Sequence, residues 1–245
     1  MIITSLSNNY IERVKKLLQK KYRQEFNQFL VEGERLLSDA IRFNANISYI
    51  VVSEDYSGKI DTSLYNCVTV SRKVFDCICD TINSQGILAV VDKPQDTLCA
   101  PKGNCLILDC IQDPGNLGTI LRTARATSFS EVYCINCVDE YSPKVLRSAM
   151  SAHFTSKIMS GSYEDVFRVV KSVCKVYCAD MNGESVFNIT PYSPFALALG
   201  NEGNGVSKYT KDNCDKIISL PMNNDMESLN VSVSAGILMY LLSNK

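Results

Sequence analysis

The sequence has no run approaching the roughly 20 consecutive apolar residues that a membrane span requires. Its most apolar stretch, GILMYLL at 236–242, reads as a buried helix. It also lacks a secretory apolar core near the start, where MIITSLSNNYIERVKK turns polar early, so the protein is expected in the cytoplasm. It has a single histidine, His153, and no second CxxC to accompany Cys134 and Cys137. That scarcity argues against a zinc site, and no metal is expected. The eleven cysteines are odd in number and scattered, which fits reduced thiols used as small core side chains rather than a disulfide framework. Internal repeats and low-complexity tracts are missing. So is net charge, which is −1, and the molecule as a whole is no evident polyanion binder.

The distribution of charge says more than its sum. Arg13, Lys15, Lys16, Lys20, Lys21 and Arg23 follow one another with no acidic residue between them. Such a stripe can track phosphates, although a solvated helix face would look the same. Apolar Ile11, Val14, Leu17 and Leu18 predict one helix over 8–21. Thereafter strands such as ISYIVVS and GILAVVD alternate with helical segments to about residue 92. KPQDTLCAPKGN, 93–104, holds two prolines and a glycine and reads as a linker. The alternation restarts with CLILDCI and continues to a helix at 230–243. The expected architecture is α/β in two domains, 1–92 and 105–245. The second has strands bare of polar alternation, as in a parallel sheet covered on both faces. A helix at 142–151 belongs, on this reading, to the second domain.

Three glycine-marked or polar loops each follow a buried strand of that domain: QDPGNLGTILRTA after LILDCI, GNEGNG after FALAL, and LPMNNDMESLNVS after CDKII. Ligands gather at the carboxyl ends of strands in open α/β sheets, so the three loops suggest one composite site. Gly200, Gly203 and Gly205 have the wrong spacing for a dinucleotide fingerprint, and no Lys-Ser/Thr follows as in a P-loop. A tight turn alone would explain the glycines. Glu202 among them would repel phosphates, but it suits hydroxyls or a cation such as a sulfonium. Capping the last helix would by itself explain Ser228 or Asn230.

These three segments, DPGNLGTILRTA, LALGNEGNGVS and ISLPMNNDMESLNVSVSAG, resemble the three motifs of the TrmH/SpoU family of S-adenosylmethionine-dependent RNA 2′-O-ribose methyltransferases. The segment SNNYIERVKKLLQKKYRQEFNQFLVEGERLLSDAI is similar to the substrate-binding N-terminal domain that many members carry, a small α/β fold like certain RNA-binding ribosomal proteins. The resemblance implies a SPOUT fold with a deep C-terminal trefoil knot, S-adenosylmethionine as cofactor, an RNA partner and a homodimer with the active site near its interface. By motif it implies catalytic or substrate-positioning roles for Asn116, Arg122, Glu202, Ser228 and Asn230. It implies cofactor contacts from Leu199, Gly200, Asn201, Gly203, Ile218, Leu220, Met222 and Leu229. The basic stripe, with Lys144 and Arg147, is expected to meet RNA phosphates; a plain surface helix at 142–151 is the competing reading. Ribosomal RNA is favoured as substrate. The alternatives are a tRNA ribose methyltransferase and a non-catalytic RNA-binding assembly factor on the same fold.

The family position of Arg122 is that of the group assisting loss of the hydroxyl proton. A guanidinium stays protonated under ordinary conditions. The expected role is therefore to grip an RNA phosphate and stabilise developing oxyanion character rather than to act as a true base. His153 lies outside all three motifs and is expected to be structural.

Overall fold

A computed structural model describes residues 2–95, 97–223 and 228–243. In chain order the elements are β1 (Ile2–Ile3), α1 (Asn9–Leu17), α2 (Lys20–Glu25), β2 (Gln28–Glu32), α3 (Glu34–Arg42), β3 (Ile47–Ser53), β4 (Cys67–Val70), α4 (Arg72–Asp76) and β5 (Ile87–Asp92). They continue with β6 (Cys105–Asp109), α5 (Pro114–Ala126), β7 (Glu131–Ile135), α6 (Pro143–Ala149), β8 (Lys157–Ser160), α7 (Tyr163–Lys171) and β9 (Lys175–Ser185). The last are β10 (Phe195–Leu199), α8 (Lys208–Asn213), β11 (Lys216–Ser219) and α9 (Val231–Ser243). Among the described residues no helix is long and apolar enough to cross a membrane.

The chain divides into two compact units. Met1–Gln95 with Tyr141–Phe154 form the first, and Asp96–Glu140 with Thr155–Lys245 the second. The first differs from the expected 1–92 domain by the addition of α6 and the 3-10 turn after it. The reason is apolar: Tyr141 and Leu146 are buried with Phe29, Val31 and Leu37, and the Tyr141 ring lies 4.9 Å from that of Phe29.

The first unit is a mixed sheet in the order β1-β4-β3-β5-β2. The expected single helix over 8–21 is two helices, α1 and α2, broken at Leu18–Gln19, where Gln19 is extended. The break lets the Arg23 guanidinium turn back and donate to the Leu17 carbonyl at 2.7 Å. It thereby satisfies one of the free carbonyls at the end of α1 with a positive charge.

The second unit is a six-stranded sheet in the order β11-β9-β10-β6-β7-β8, and every pair is parallel. All five residues of β6, β7 and β10 are buried, as a sheet covered on both faces requires. On one face Cys105, Ile107, Ala196 and Ala198 pack with Val166, Phe167 and Val170 of α7. Leu106, Leu108, Leu197 and Leu199 point to the other face, and α9 packs on both α5 and β10.

From the seam of β10 against β6, the chain runs outward through β7 and β8 on one side, while on the other β10 is followed by β9 and then by β11 at the edge. At that seam chain direction around the sheet reverses, which makes it the topological switch point. A second irregularity lies nearby. The β11–β9 register jumps from Ile217–Cys178 to Ile218–Glu184, leaving residues 179–183 bulged beside the carboxyl end of β10.

Candidate active site

The site is built from strand ends. Asp109 closes the apolar β6, and Asp113 then caps α5, accepting from the Asn116 amide at 2.8 Å with Pro114 in the first helical turn. That cap sets Asn116, half-buried, at the start of the helix. After β10 the chain turns sharply, and Asn201 and Gly205 exchange both backbone hydrogen bonds at 2.8 and 2.9 Å. The Asn201 side chain holds the turn together. Its Oδ1 accepts from Gly203 and Asn204, and its Nδ2 donates to the Cys110 carbonyl at 2.9 Å, stitching the loop after β10 to the loop after β6.

A relay of amides joins all three loops. Asn230 caps α9, its Oδ1 accepting from the backbone of Ser232 and Val233. Its Nδ2 is thereby turned outward and donates to Asn116 Oδ1 at 3.0 Å. Asn116 Nδ2 in turn donates to Glu202 Oε1 at 3.1 Å, and the backbone N–H of Asp113 points at the same oxygen at 3.4 Å. Each amide has one orientation consistent with its neighbours, so the helix cap dictates the direction of the whole relay.

Beside the relay lies a cavity of about 550 Å³, within the range of small-molecule and cofactor sites. Leu199 at the end of β10 lines it, with Gly200, Asn201 and Gly203 of the loop that follows. Ile218, Leu220, Met222 and Leu229 line it from β11 and beyond, together with Ser228 and Glu202. Residues 224–227 of the same loop lie outside the described residues. Apolar walls with a few polar groups suit an adenosyl group. Among the described residues the two carboxylates at the cavity, Asp180 and Glu202, outnumber the one ammonium, Lys211, and so favour a ligand of net positive charge such as a sulfonium amino acid.

Arg122 does not join the relay. Six positions along a helix place it about 120° around the axis from Asn116. It is exposed and, among the described residues, makes no hydrogen bond or ion pair. It stands free to meet something outside the chain.

Sequence reasoning missed two aspartates that end apolar runs, a signal legible in LILDC and YCADM. Asp180, at the bulge in β9, pairs with Lys211 of α8 at 2.6 Å on the cavity wall. Burial works against its ionisation, but donation from Lys211 and from the Asn182 amide outweighs it and holds the carboxyl below the ordinary range. The hydrogen bond to Asp180 raises the Lys211 ammonium in turn.

Asp109 is fully buried; its carboxylate accepts from Tyr163 at 2.6 Å, from Thr210 Oγ1 at 2.6 Å and from the Ser207 amide at 2.8 Å. Burial again opposes the charge, and donation from Thr210, Tyr163 and Ser207 overcomes it, so this carboxyl too is lowered. It ties the start of α8, and with it the exit of the glycine loop, to the end of β6. A carboxyl lowered on folding contributes stability that is present above its unfolded pKa, about 3.9, and lost as pH falls through its folded value. Asp109→Asn is expected to lower stability by roughly 2–4 kcal/mol at neutral pH and to flatten the acid limb of the stability profile. Urea titrations at a series of pH values measure both. An unchanged acid limb would mean that Asp109 is not the acid-sensitive clasp.

Apart from Arg122, the candidate phosphate contacts lie in the first unit. Lys15, Lys16, Lys20 and Lys21 are exposed, and Arg13 is half-buried over the Phe26 ring. Arg23 departs from the expected stripe: it is 4% exposed, and its guanidinium is used internally on Leu17, so it cannot face outward with the others. Lys144 is exposed, whereas Arg147 is paired with Asp80 at 2.6 Å.

Residues 103–240 match the SpoU rRNA Methylase family and residues 8–89 the MRM3-like substrate binding domain. The 23S rRNA (guanosine(2553)-2'-O)-methyltransferase RlmP of Bacillus subtilis is 34% identical over 245 residues, 98% of each chain. The human rRNA methyltransferase 3, mitochondrial (Homo sapiens), is 33% identical over 178 residues, 67% of this chain and 42% of that protein. Among solved structures, an AdoMet-bound rRNA methyltransferase from Sinorhizobium meliloti has a TM-score of 0.87 at 26% identity, over 98% of this chain and 96% of that one. Matched through both units, and with its three motif loops gathered at one switch point, the chain belongs to the SpoU rRNA methylase family.

Proposed function

We propose that this protein transfers a methyl group from S-adenosylmethionine to a ribose 2′-hydroxyl of 23S-type ribosomal RNA in the cytoplasm. The observation that carries this reading is the Asn230–Asn116–Glu202 relay beside the cavity, because it fixes a polar rim at the point where three strand-end loops meet. Bound S-adenosylmethionine supplies an electrophilic methyl on a sulfonium. The chain's residues supply the rest. Leu199, Ile218, Leu220 and Met222 exclude water from the adenosyl end, while Glu202 faces the positive charge. The Asn116 amide, locked by its two partners, orients the ribose. Arg122 grips a phosphate of the RNA and stabilises negative charge on the 2′-oxygen as its proton leaves to water. Ribosomal RNA is preferred to tRNA because two relatives matched through both units, the Bacillus subtilis and Sinorhizobium meliloti proteins, carry rRNA names. Calorimetry with S-adenosylmethionine, followed by mapping of 2′-O-methyl positions on rRNA from cells with and without the protein, tests the reading. No cofactor binding and an unchanged map would sink it and leave the assembly-factor alternative.

The C-terminal trefoil knot and the homodimer belong to the same proposal. The knot is supported by the path of the chain: β11 lies at the sheet edge, yet the helix that follows returns to pack on α5 and β10. The dimer is supported by an apolar stripe on α9, where Val233, Ile237 and Tyr240 are 49, 40 and 53% exposed at helical spacing. Ile237→Glu is expected to convert a dimer to a monomer in light scattering. Wild-type protein that is already monomeric would remove the dimer from the proposal.

A further inference from the structure

In the first unit α2 and α3 end alike. Phe26 and Phe43 are the capping residues, and each is followed by an asparagine in the left-handed region, Asn27 with φ 50° and Asn44 with φ 55°. The left-handed turn directs the following chain back over the helix end, so that Asn44 and Ala45 donate to the carbonyls of Ile41 and Ala40. Each phenyl ring carries a guanidinium, Arg13 at 3.6 Å from the Phe26 centroid and Arg42 at 5.4 Å from that of Phe43. Both caps line a second cavity of about 550 Å³, to which Phe154 and Lys93 also contribute. The Phe29 ring, 1% exposed, lies behind that of Phe154 at 6.5 Å.

We propose that this cavity takes an unpaired nucleobase of the RNA substrate, a binding site separate from the methyl-transfer centre. The inference rests on the rRNA reading above. Arg13 and Tyr22 already lie against Phe26, so the stacking face is that of Phe43, 36% exposed; such a face accepts any base, and single-stranded RNA is read by proteins mainly through splayed-out bases. The hydrogen-bonding groups fit the edge of a base. Among the described residues the Asn44 side-chain amide has no protein partner, and the Asn27 side chain uses only its Nδ2, on the Lys93 carbonyl at 3.4 Å, leaving its Oδ1 to accept. An apolar peptide segment would leave those amides dry and unsatisfied, which is unfavourable. The cavity lining itself is balanced, Asp92 against Lys93, and the charge complementary to RNA lies beside it. Arg13 joins the cavity wall to the exposed run of Lys15, Lys16, Lys20 and Lys21, so the phosphates on either side of a captured base would meet cations.

The test uses the full chain and an in vitro transcript of 23S rRNA. Phe43→Leu keeps apolar volume but removes a stacking face. It is expected to weaken transcript binding by about 5- to 100-fold with the salt dependence unchanged. Lys16→Ala is expected to weaken binding modestly and to lower the salt slope by about one unit. Cofactor affinity stays at the wild-type value in both. A second arm measures saturation transfer from the protein to AMP, GMP, CMP and UMP. Base protons are expected to receive saturation from wild-type protein, and Phe43→Leu should abolish the signal. If wild type binds and methylates the transcript while Phe43→Leu behaves identically, the pocket proposal is overturned and the function stands. If wild type neither binds nor methylates the transcript, the function falls, and the mononucleotide arm still decides the pocket. Saturation of the base protons by wild type that disappears in Phe43→Leu supports it, and no saturation with wild type overturns it.

Discussion

Arg122→Ala lowers kcat for methyl transfer by about 10²- to 10³-fold, the usual loss when one preorganised donor to a developing oxyanion is removed. The Kd for S-adenosylmethionine does not change, because Arg122 lies outside the group of residues lining the cofactor cavity. Stability does not change either, since the side chain is exposed and bonds nothing among the described residues. This combination, lost turnover with intact binding and folding, separates a chemical role from a structural one. Arg122→Lys keeps the charge but loses the planar fork that grips a phosphate by two bonds, and it recovers only part of the rate. Single-turnover assays on an rRNA transcript, run across pH, provide the readout. Near-native turnover in Arg122→Lys with an unchanged pH profile would show that the fork geometry is irrelevant.

Gly200→Ala removes cofactor binding, raising Kd at least about a hundredfold, a change of roughly 2.7 kcal/mol or more. A Cβ on Gly200 would stand 2.1 Å from the Val206 nitrogen and 2.2 Å from the Gly205 carbonyl carbon, and both are backbone atoms that no rotamer change can move aside. The loop must then open, breaking the paired hydrogen bonds between Asn201 and Gly205 and loosening Glu202 from Asn116. By contrast, a Cβ on Gly103, which is outside the cavity wall, meets nothing within 4 Å, so Gly103→Ala serves as the tolerated control. Calorimetry on both variants checks the contrast. Equal affinities would mean that the turn does not shape the cavity.

Much of this was legible from residue order. Uninterrupted apolar runs marked the buried parallel strands, because burial on both faces is a local demand that local sequence must meet. What escaped was decided at a distance. The run from Arg13 to Arg23 has uniform helix propensity, and its break depends on Arg23 reaching the Leu17 carbonyl. The apolar side of α6 shows that the helix is buried somewhere, but not that Phe29 and Leu37 form the core it joins. That placement also bears on experiment. Removing residues 1–92 would strip the cover from Tyr141 and Leu146, so point substitutions in the stripe test RNA binding more cleanly than truncation. At the site the three loops could be expected to converge, but the order of donors from Asn230 to Asn116 to Glu202 could not be read. Amide orientation is set by partners 114 and 86 positions apart in the chain.

The seam between β10 and β6 carries a consequence for folding kinetics. Its pairs join residues 91 positions apart, Ala196 with Cys105, whereas β6-β7-β8 can pair as soon as those strands emerge. Parallel pairing over so long a separation requires loop-closure entropy to be lost before the interactions that offset it can form, so insertion of β10 is expected to be a slow step. Until it inserts, β6 offers a bare apolar edge, and the refolding chain is most prone to aggregation in that interval.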